Sequence, residues 1–315
     1  MAFTVSDFTD YIKANPEIDI TDVVLNLSSI EAGLNVQQGI KYKAKLVIME
    51  DGSTEIQVGD YTATDASGGV VISDKDISTI ERHVKEVYKP QVLQQKITQL
   101  VMAAGSEITD IPAFVKDEIF RLKNAAISKK NEQSLWVGDT TLTTTAATRH
   151  LKDFDGFIKL AQDADDTIKT ALAGVALTAS TAEAKVKLVT SLLHGDLIME
   201  PTTLFMNPSN FQIFRGAMIT KYVGQQSFSD QIGASFEYKI PGTEITARAM
   251  TGLVGSNDML LCKPDNLTIG VDLLGEDESG EMRMLENRSF EFFALYKLGA
   301  QIGNEKYIVV TKASA

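Results

Sequence analysis

The chain holds a single cysteine and only three histidines in 315 residues. Cys262 has no partner for an internal disulfide. Its apolar setting, Met259-Leu260-Leu261-Cys262, predicts a buried, inert thiol suited to a reducing compartment. His83, His150 and His194 lie far apart, and none stands at metal-ligand spacing. The His-Glu-x-x-His, phosphate-loop, Gly-x-Ser-x-Gly and Gly-x-Gly-x-x-Gly patterns are all missing. No catalytic, cofactor-binding or metal-ligating residue is therefore expected, and no cofactor.

Positive charge is also scarce. Lys and Arg number 30 against 42 Asp and Glu, for a net charge of −12 and a pI near 4.8. Chains whose main affinity is for phosphate backbones carry basic surfaces, so sequence-specific nucleic-acid binding is not expected. No window approaches the ~20 uncharged apolar residues of a membrane span. Met1 to Asn15 carries Asp7 and Asp10 and lacks the basic-then-apolar pattern of a secretory signal.

What remains is an ordinary globular composition, 44% hydrophobic and 23% charged, long enough for one or two domains. Residues 1–40 read as an arm. Ser6 can cap a short helix to Lys13, Pro16 ends it, and Thr21 to Ala32 offers a second amphipathic stretch closed by Gly33. Neither has a core of its own, so both must dock elsewhere. Residues 41–75 read as a long hairpin. Tyr42, Ala44, Leu46 and Ile48 alternate along the first strand, Glu50-Asp51-Gly52-Ser53 turns, and Thr54 to Tyr61 returns. A two-stranded hairpin is marginal in water, so it must lie against a neighbouring surface, its own domain by default or another subunit.

Residues 76–149 read as helical. Asp76 to Tyr88 and Pro90 to Met102 precede a long helix from Asp110-Ile111-Pro112 to about Leu135. Val115, Ile119, Leu122 and Ala126 mark its buried stripe. Two dozen residues make a rod of ~36 Å. Thr140 to Thr148 is a low-complexity boundary to a second unit, 150–255. There Ser180-Thr181-Ala182-Glu183 is a capping-box signature opening a helix with Val186, Val189, Leu192 and Leu193 on one face. Thr202 to Met206 is a buried strand, Asn207-Pro208 starts a helix with Phe211, Ile213 and Phe214, and Pro241-Gly242 turns two strands. The segment 256–315 is mostly strand and is expected to return to the long helix.

Asp163, Asp165 and Asp166, and Glu276-Asp277-Glu278 with Glu281, read as solvated acidic surface and not as cation sites. Phe290, Phe292, Phe293 and Tyr296 read as strand core.

One join in the middle orders these pieces. The long helix ends in Glu132-x-x-Leu135-Trp136-x-Gly138-Asp139, and Phe154-Asp155-Gly156-Phe157 follows after a loop. Further along stand Pro201-Thr202-Thr203-Leu204-Phe205-Met206-Asn207-Pro208-Ser209-Asn210-Phe211, Ile240-Pro241-Gly242-Thr243 with Met250, Asp258-Met259-Leu260-Leu261 through Thr268-Ile269-Gly270-Val271, and the aromatic tail Arg288 to Val310 around Leu298-Gly299. In this order the motifs resemble the major capsid proteins of tailed bacteriophages, whose Hong-Kong-type fold is shared with herpesvirus shells and encapsulins.

The resemblance implies an α+β fold with an N-terminal arm (1–40), an extended hairpin loop lying across a neighbouring subunit (41–75), a peripheral domain with a spine helix (76–149), an inserted axial domain (150–255) and C-terminal strands returning to the peripheral domain (256–315). It implies a structural protein and not an enzyme. Pentamers and hexamers would close into an icosahedral virion shell around double-stranded DNA, assembled in the host bacterial cytoplasm, with no membrane. An acidic wall suits enclosure without adhesion. Scaffolding, portal and decoration proteins are the implied partners. With about forty residues before the hairpin, the scaffold is expected to be a separate protein or absent. Lys41, Lys43, Lys45 and Lys75 are ordinary for a surface hairpin, and no crosslink is expected from them. The alternatives are an encapsulin-like compartment and an α+β enzyme with a site assembled in space.

Overall fold

The computed structural model describes residues 28–52, 69–89, 113–143, 145, 147–170, 176–222, 236–272, 281–284 and 289–311, with backbone alone for 113–120, 222, 281–284 and 290. The helices are α1 (Ser28–Glu31), α2 (Ala113–Val137), α3 (Phe157–Asp163), α4 (Ala182–Ser191) and α5 (Pro208–Tyr222). The strands are β1 (Asn35–Gln37), β2 (Lys43–Asp51), β3 (Val70–Ser78), β4 (Ile80–Tyr88), β5 (Ile168–Thr170), β6 (Thr202–Met206), β7 (Glu237–Lys239), β8 (Ile245–Ala249), β9 (Leu260–Cys262), β10 (Leu267–Asp272), β11 (Glu281–Met284), β12 (Phe290–Ile302) and β13 (Val309–Thr311).

Two sheets organise these elements. The first runs β1-β10-β12-β11, with β4 also paired to β12 from Leu298↔Ile80 to Phe290↔Tyr88. The second runs β5-β13-β9-β6-β8-β7. In it β6 and β8 are parallel and bracket α5, the crossover that parallel strands need. β2 and β3 stand apart as a two-stranded ribbon.

Each sheet has its own core. On the first, the C-terminal half of α2 buries Ile127, Leu135 and Trp136 with Ile269, Val271, Phe292, Ala294 and Leu298. On the second, Val186 and Val189 of α4 and Phe211 and Phe214 of α5 cover Leu204, Met206, Ala247 and Leu261. The join after α2 is a backbone-to-backbone contact that only glycine admits. Gly156 N–H donates to the Gly138 carbonyl at 2.9 Å, and a Cβ on Gly138 would stand 2.4 Å from the Phe154 carbonyl oxygen. The close approach seats Trp136 against Phe157 edge-on at 5.4 Å and against Phe205 at 4.9 Å.

Several expectations are corrected. Residues 76–88 are strand, not helix: β3 ends at Ser78, and β4 alternates with Arg82, Val84, Glu86 and Tyr88 turned inward. The ribbon's return strand is β3, with Asp51 opposite Val70 and Gly52 N–H bonded to the Gly69 carbonyl. Thr54 to Tyr61 lies outside the described residues, as do Ser6 to Lys13, Pro90 to Met102 and the loops 224–234 and 275–280. The buried stripe of α2 is not where its apolar spacing put it. Val115 and Ile119 lie outside the described side chains; Leu122 and Ala126 are exposed, and from residue 121 onward burial starts at Ile127 and takes in Asn131, Glu132 and Ser134, each with hydrogen-bond partners. Thr181 precedes α4 in αR conformation without a side-chain cap, because its hydroxyl accepts from Thr178 N–H instead. Leu192 lies at the surface and not with Val186 and Val189. The tail does not go whole to the first sheet: β9 and β13 sit inside the second, beside β6 and β5.

Asn207 caps as expected, its Oδ1 accepting from Ser209 N–H at 2.9 Å. Cys262 is fully buried, and burial pushes its thiol far above the ordinary range.

Candidate functional site

The three histidines stay apart. His83 is exposed on β4, His150 lies 3.2 Å from Gln133 Oε1, and His194 packs edge-on to Tyr307. Asp163 pairs with Lys159, and no group of three or more His, Cys, Asp or Glu side chains among the described residues is placed to hold a metal. Phe292 and Tyr296 belong to the first core. A cleft of about 550 Å³ between α4 and α5 is lined by Ser180, Gln212, Ile213 and Thr220, with Glu183 bridged to Lys187 and Lys221.

The features that stand out are a ribbon, and two buried polar nodes beneath it. In β2 and β3 paired residues share a face. Lys43, Lys45, Val47 and Met49, opposite Ser78, Asp76, Asp74 and Ile72, form the outer face. Ala44, Leu46, Ile48 and Glu50, opposite Ile77, Lys75, Ser73 and Val71, form the inner one. At the inner base Ile77 is fully buried on the first sheet, so close that a Cβ on Gly270 would meet its Cδ1 at 2.9 Å. Farther out the inner face is latched by polar contacts to the turn after β12. Lys75 Nζ donates to the Gly303 carbonyl at 2.8 Å and pairs with Glu305, while Asn304 and Lys306 both bind Glu50.

The hairpin pattern left the ribbon to rest on its own domain or on another subunit, and the resemblance implied a neighbour; within one chain its inner face rests on its own body. Among the described residues the outer face is left open. Toward the base its lysines are neutralised by Asp74 and Asp76. Toward the tip it is apolar, with Met49 68% and Ile72 64% exposed beside Val47 and Val70. A contiguous apolar strand face without a cover is the signature of a contact surface. The run Val70-Val71-Ile72 was its visible signal.

The first node fastens the arm. Ser28 and Ser29 hydroxyls donate to Glu132 Oε1, and Trp136 Nε1 donates to Ser29 Oγ at 2.8 Å. Burial holds the Glu132 carboxyl above its ordinary value, against the pull of the two serine bonds. A raised folded-state value means that the native state keeps this proton longer than the unfolded chain. Its contribution to stability is complete below the unfolded carboxylate value and is lost as pH rises through the folded one. Glu132→Gln is expected to flatten that decline. Urea midpoints of wild type and variant, compared at about pH 4.5 and about pH 8, check this; an unchanged slope in the variant refutes it.

The second node is Arg82, buried between β4, α2 and the 149–153 turn. It pairs with Asp153 and donates to Asn131 Oδ1, Ser134 Oγ and the His150 carbonyl. Tyr296 O–H also donates to Asn131 Oδ1. The sequence reading missed Arg82 because it placed that segment on a helix surface.

No family model and no curated protein matches this sequence. Solved structures do match. A chain of Gordonia phage Cozz superposes with a TM-score of 0.58 at 11% identity, over 92% of this chain and 87% of that one. The capsid of Ralstonia phage GP4 gives 0.56 at 8%, over 90% and 87%. A virus-like particle from Pyrococcus furiosus gives 0.50 at 12%, over 94% and 98%. The chain thus has a phage-capsid fold, of mixed helix and strand. That is the fold the ordered motifs implied.

Proposed function

We propose that this chain is the major shell protein of a tailed-phage head, a structural subunit that closes by self-association around double-stranded DNA. The observation that carries the reading, beside the fold, is the ribbon: a strand pair whose outer tip is apolar and, among the described residues, uncovered. The surface of another copy is its natural cover, because identical subunits related by rotation present the same acceptor to every ribbon. Many such contacts sum apolar burial over a shell. In this scheme the first sheet with α2 is the peripheral unit. The second sheet is the axial unit near the pentamer and hexamer axes, and it borrows β9 and β13 from the tail.

Negative-stain microscopy of the purified chain tests the proposal. Uniform hollow particles or hexameric sheets are expected; a monodisperse monomer under all assembly conditions overturns it. Met49→Asp with Ile72→Asp is expected to cut particle yield about tenfold or more, since a charge is forced into an apolar contact. Because the two positions are directly opposite, like-charge repulsion should lower the subunit's unfolding free energy by about 1 kcal/mol, too little to unfold it. Equal particle yield from the double variant removes the ribbon from the assembly contact.

The likeness to the Pyrococcus furiosus particle, over 98% of that chain, supports a second reading as an encapsulin-like compartment. Co-purification of an enzyme cargo in place of DNA inside the particles distinguishes the two.

A further inference from the structure

We propose that the exposed side of α2 around Lys129 and Lys130, joined to the 149–152 turn, is a phosphate-binding surface that touches the backbone of the enclosed nucleic acid. The inference rests on the shell reading for its partner, and on the following observations for its place and chemistry.

Lys129, Lys130, Arg149 and Lys152 are all exposed. None of them forms an ion pair among the described residues. In a chain of net charge −12, four cations without an ion pair, of which Lys130 acts on the Glu86 carboxylate at longer range, are a local reversal of sign. The fold brings the two pairs together. Lys129 and Lys130 lie one turn before Gln133, and His150 packs on Gln133 at 3.2 Å. The 149–152 turn is anchored there, since the His150 carbonyl accepts from Arg82 and from Ser134.

Nearby acids are already engaged: Asp153 with Arg82, Glu86 with Lys123, and Glu132 with the serines of α1. Burial, then the charges of Arg82 and Lys130, lower the His150 value, so the ring is a neutral spacer at pH 7.

The patch also lies on a defined side of the wall. Ile269 and Val271 of β10 face α2, whereas Gly270 between them faces Ile77 of the ribbon base. Strand alternation therefore sets the ribbon and α2 on opposite faces of the first sheet. One side of the wall carries the open apolar ribbon and neutralised lysines. The other carries bare cations.

The chemistry favours nucleic acid over an acidic protein segment. Within the patch Ile127 and Leu151 are buried, and the exposed apolar side chain on this side of α2, Leu122, stands two turns before Lys129, so a folded or helical partner would find one anchor at the edge of the patch and none within it. Phosphate backbones need none; contact with four cations releases counterions and carries no sequence information.

The test is fluorescence anisotropy with the full chain and a mixed-sequence duplex of about 20 base pairs, over a salt series from about 50 to 300 mM. Relative to wild type, the combined variant Lys129→Gln, Lys130→Gln, Arg149→Gln and Lys152→Gln should bind about tenfold or more weakly. Its slope of log affinity against log salt should fall by about 3 to 4. An equal-charge control, Lys169→Gln, Lys187→Gln, Lys239→Gln and Lys263→Gln, should keep wild-type binding. Equal affinity of the patch variant overturns the proposal, and so does an equal loss in the control. Polyglutamate binding the patch more tightly than the duplex also overturns it, in favour of an acidic protein partner. Micrographs of the same preparations separate the two readings. Shells with unchanged DNA binding in the patch variant reject the patch alone, and absent shells with patch-dependent binding reject the container alone.

Discussion

Alanine in place of Gly252 will destabilise the protein by about 3 kcal/mol or more, the upper end of what overpacking a core costs. Gly252 lies in the 251–253 turn, pressed on the last turns of α2. A Cβ there would stand 2.2 Å from Trp136 Cδ1 and 2.5 Å from the Glu132 carbonyl oxygen. Neither neighbour can give way. The carbonyl belongs to the helix backbone, and Trp136, fully buried, is wedged between Phe157 and Phe205. Trp136 is the only tryptophan, so its fluorescence reports this core alone. The thermal midpoint should drop by about 6 to 12 °C, taking roughly 2 to 4 °C per kcal/mol for a large domain. A variant that melts with the wild type shows that the turn can move off the helix, and that the contact is not rigid.

Arg82→Ala is expected to cost about 3 kcal/mol, for a different reason. The guanidinium joins β4 to α2 and to the 149–153 turn through one ion pair and three further hydrogen bonds. Removing it leaves Asp153 without its counter-charge in a largely dry site, while Asn131 Oδ1 keeps Tyr296 and the His150 carbonyl keeps Ser134; a part-buried charge left alone is what makes such losses large. Asp153 is one-third exposed, which keeps the figure at the low end of the range. A cycle with Asp153→Asn separates the pair from the rest. If the double variant recovers no stability relative to the sum of the singles, the two charges do not interact and the node is held by Asn131 and Ser134.

The contrast between these sites tracks what could be read in the sequence. Thr202–Met206 with Asn207-Pro208 was legible because a buried strand and a helix cap are both local, and α2 was legible because its length exceeds any strand. The Gly138 and Gly156 join was visible as a motif, and its reason, two backbones in hydrogen-bond contact, was not. Segment 76–88 misled because Ile77, Ile80, Val84 and Tyr88 recur at helical spacing. The strand's own inward set includes Arg82 and Glu86, charges whose partners Asn131, Ser134 and Lys123 are distant in sequence. Val115, Ile119, Leu122 and Ala126 misled in the opposite sense: a clean apolar period that the subunit leaves exposed at Leu122 and Ala126. The ribbon's pairing was misplaced because Ser53 follows a turn-like Asp51-Gly52, whereas the strand that pairs begins after Gly69. Sequence shows periods; which period is spent on burial depends on partners it does not show.

The turn that grips the ribbon, Gly303 to Lys306, is also the short span by which the chain passes from β12 of one sheet to β13 of the other. The strand pair is therefore a lever whose fulcrum is a transmission link. Moving the strand pair thus strains a link that both sheets share.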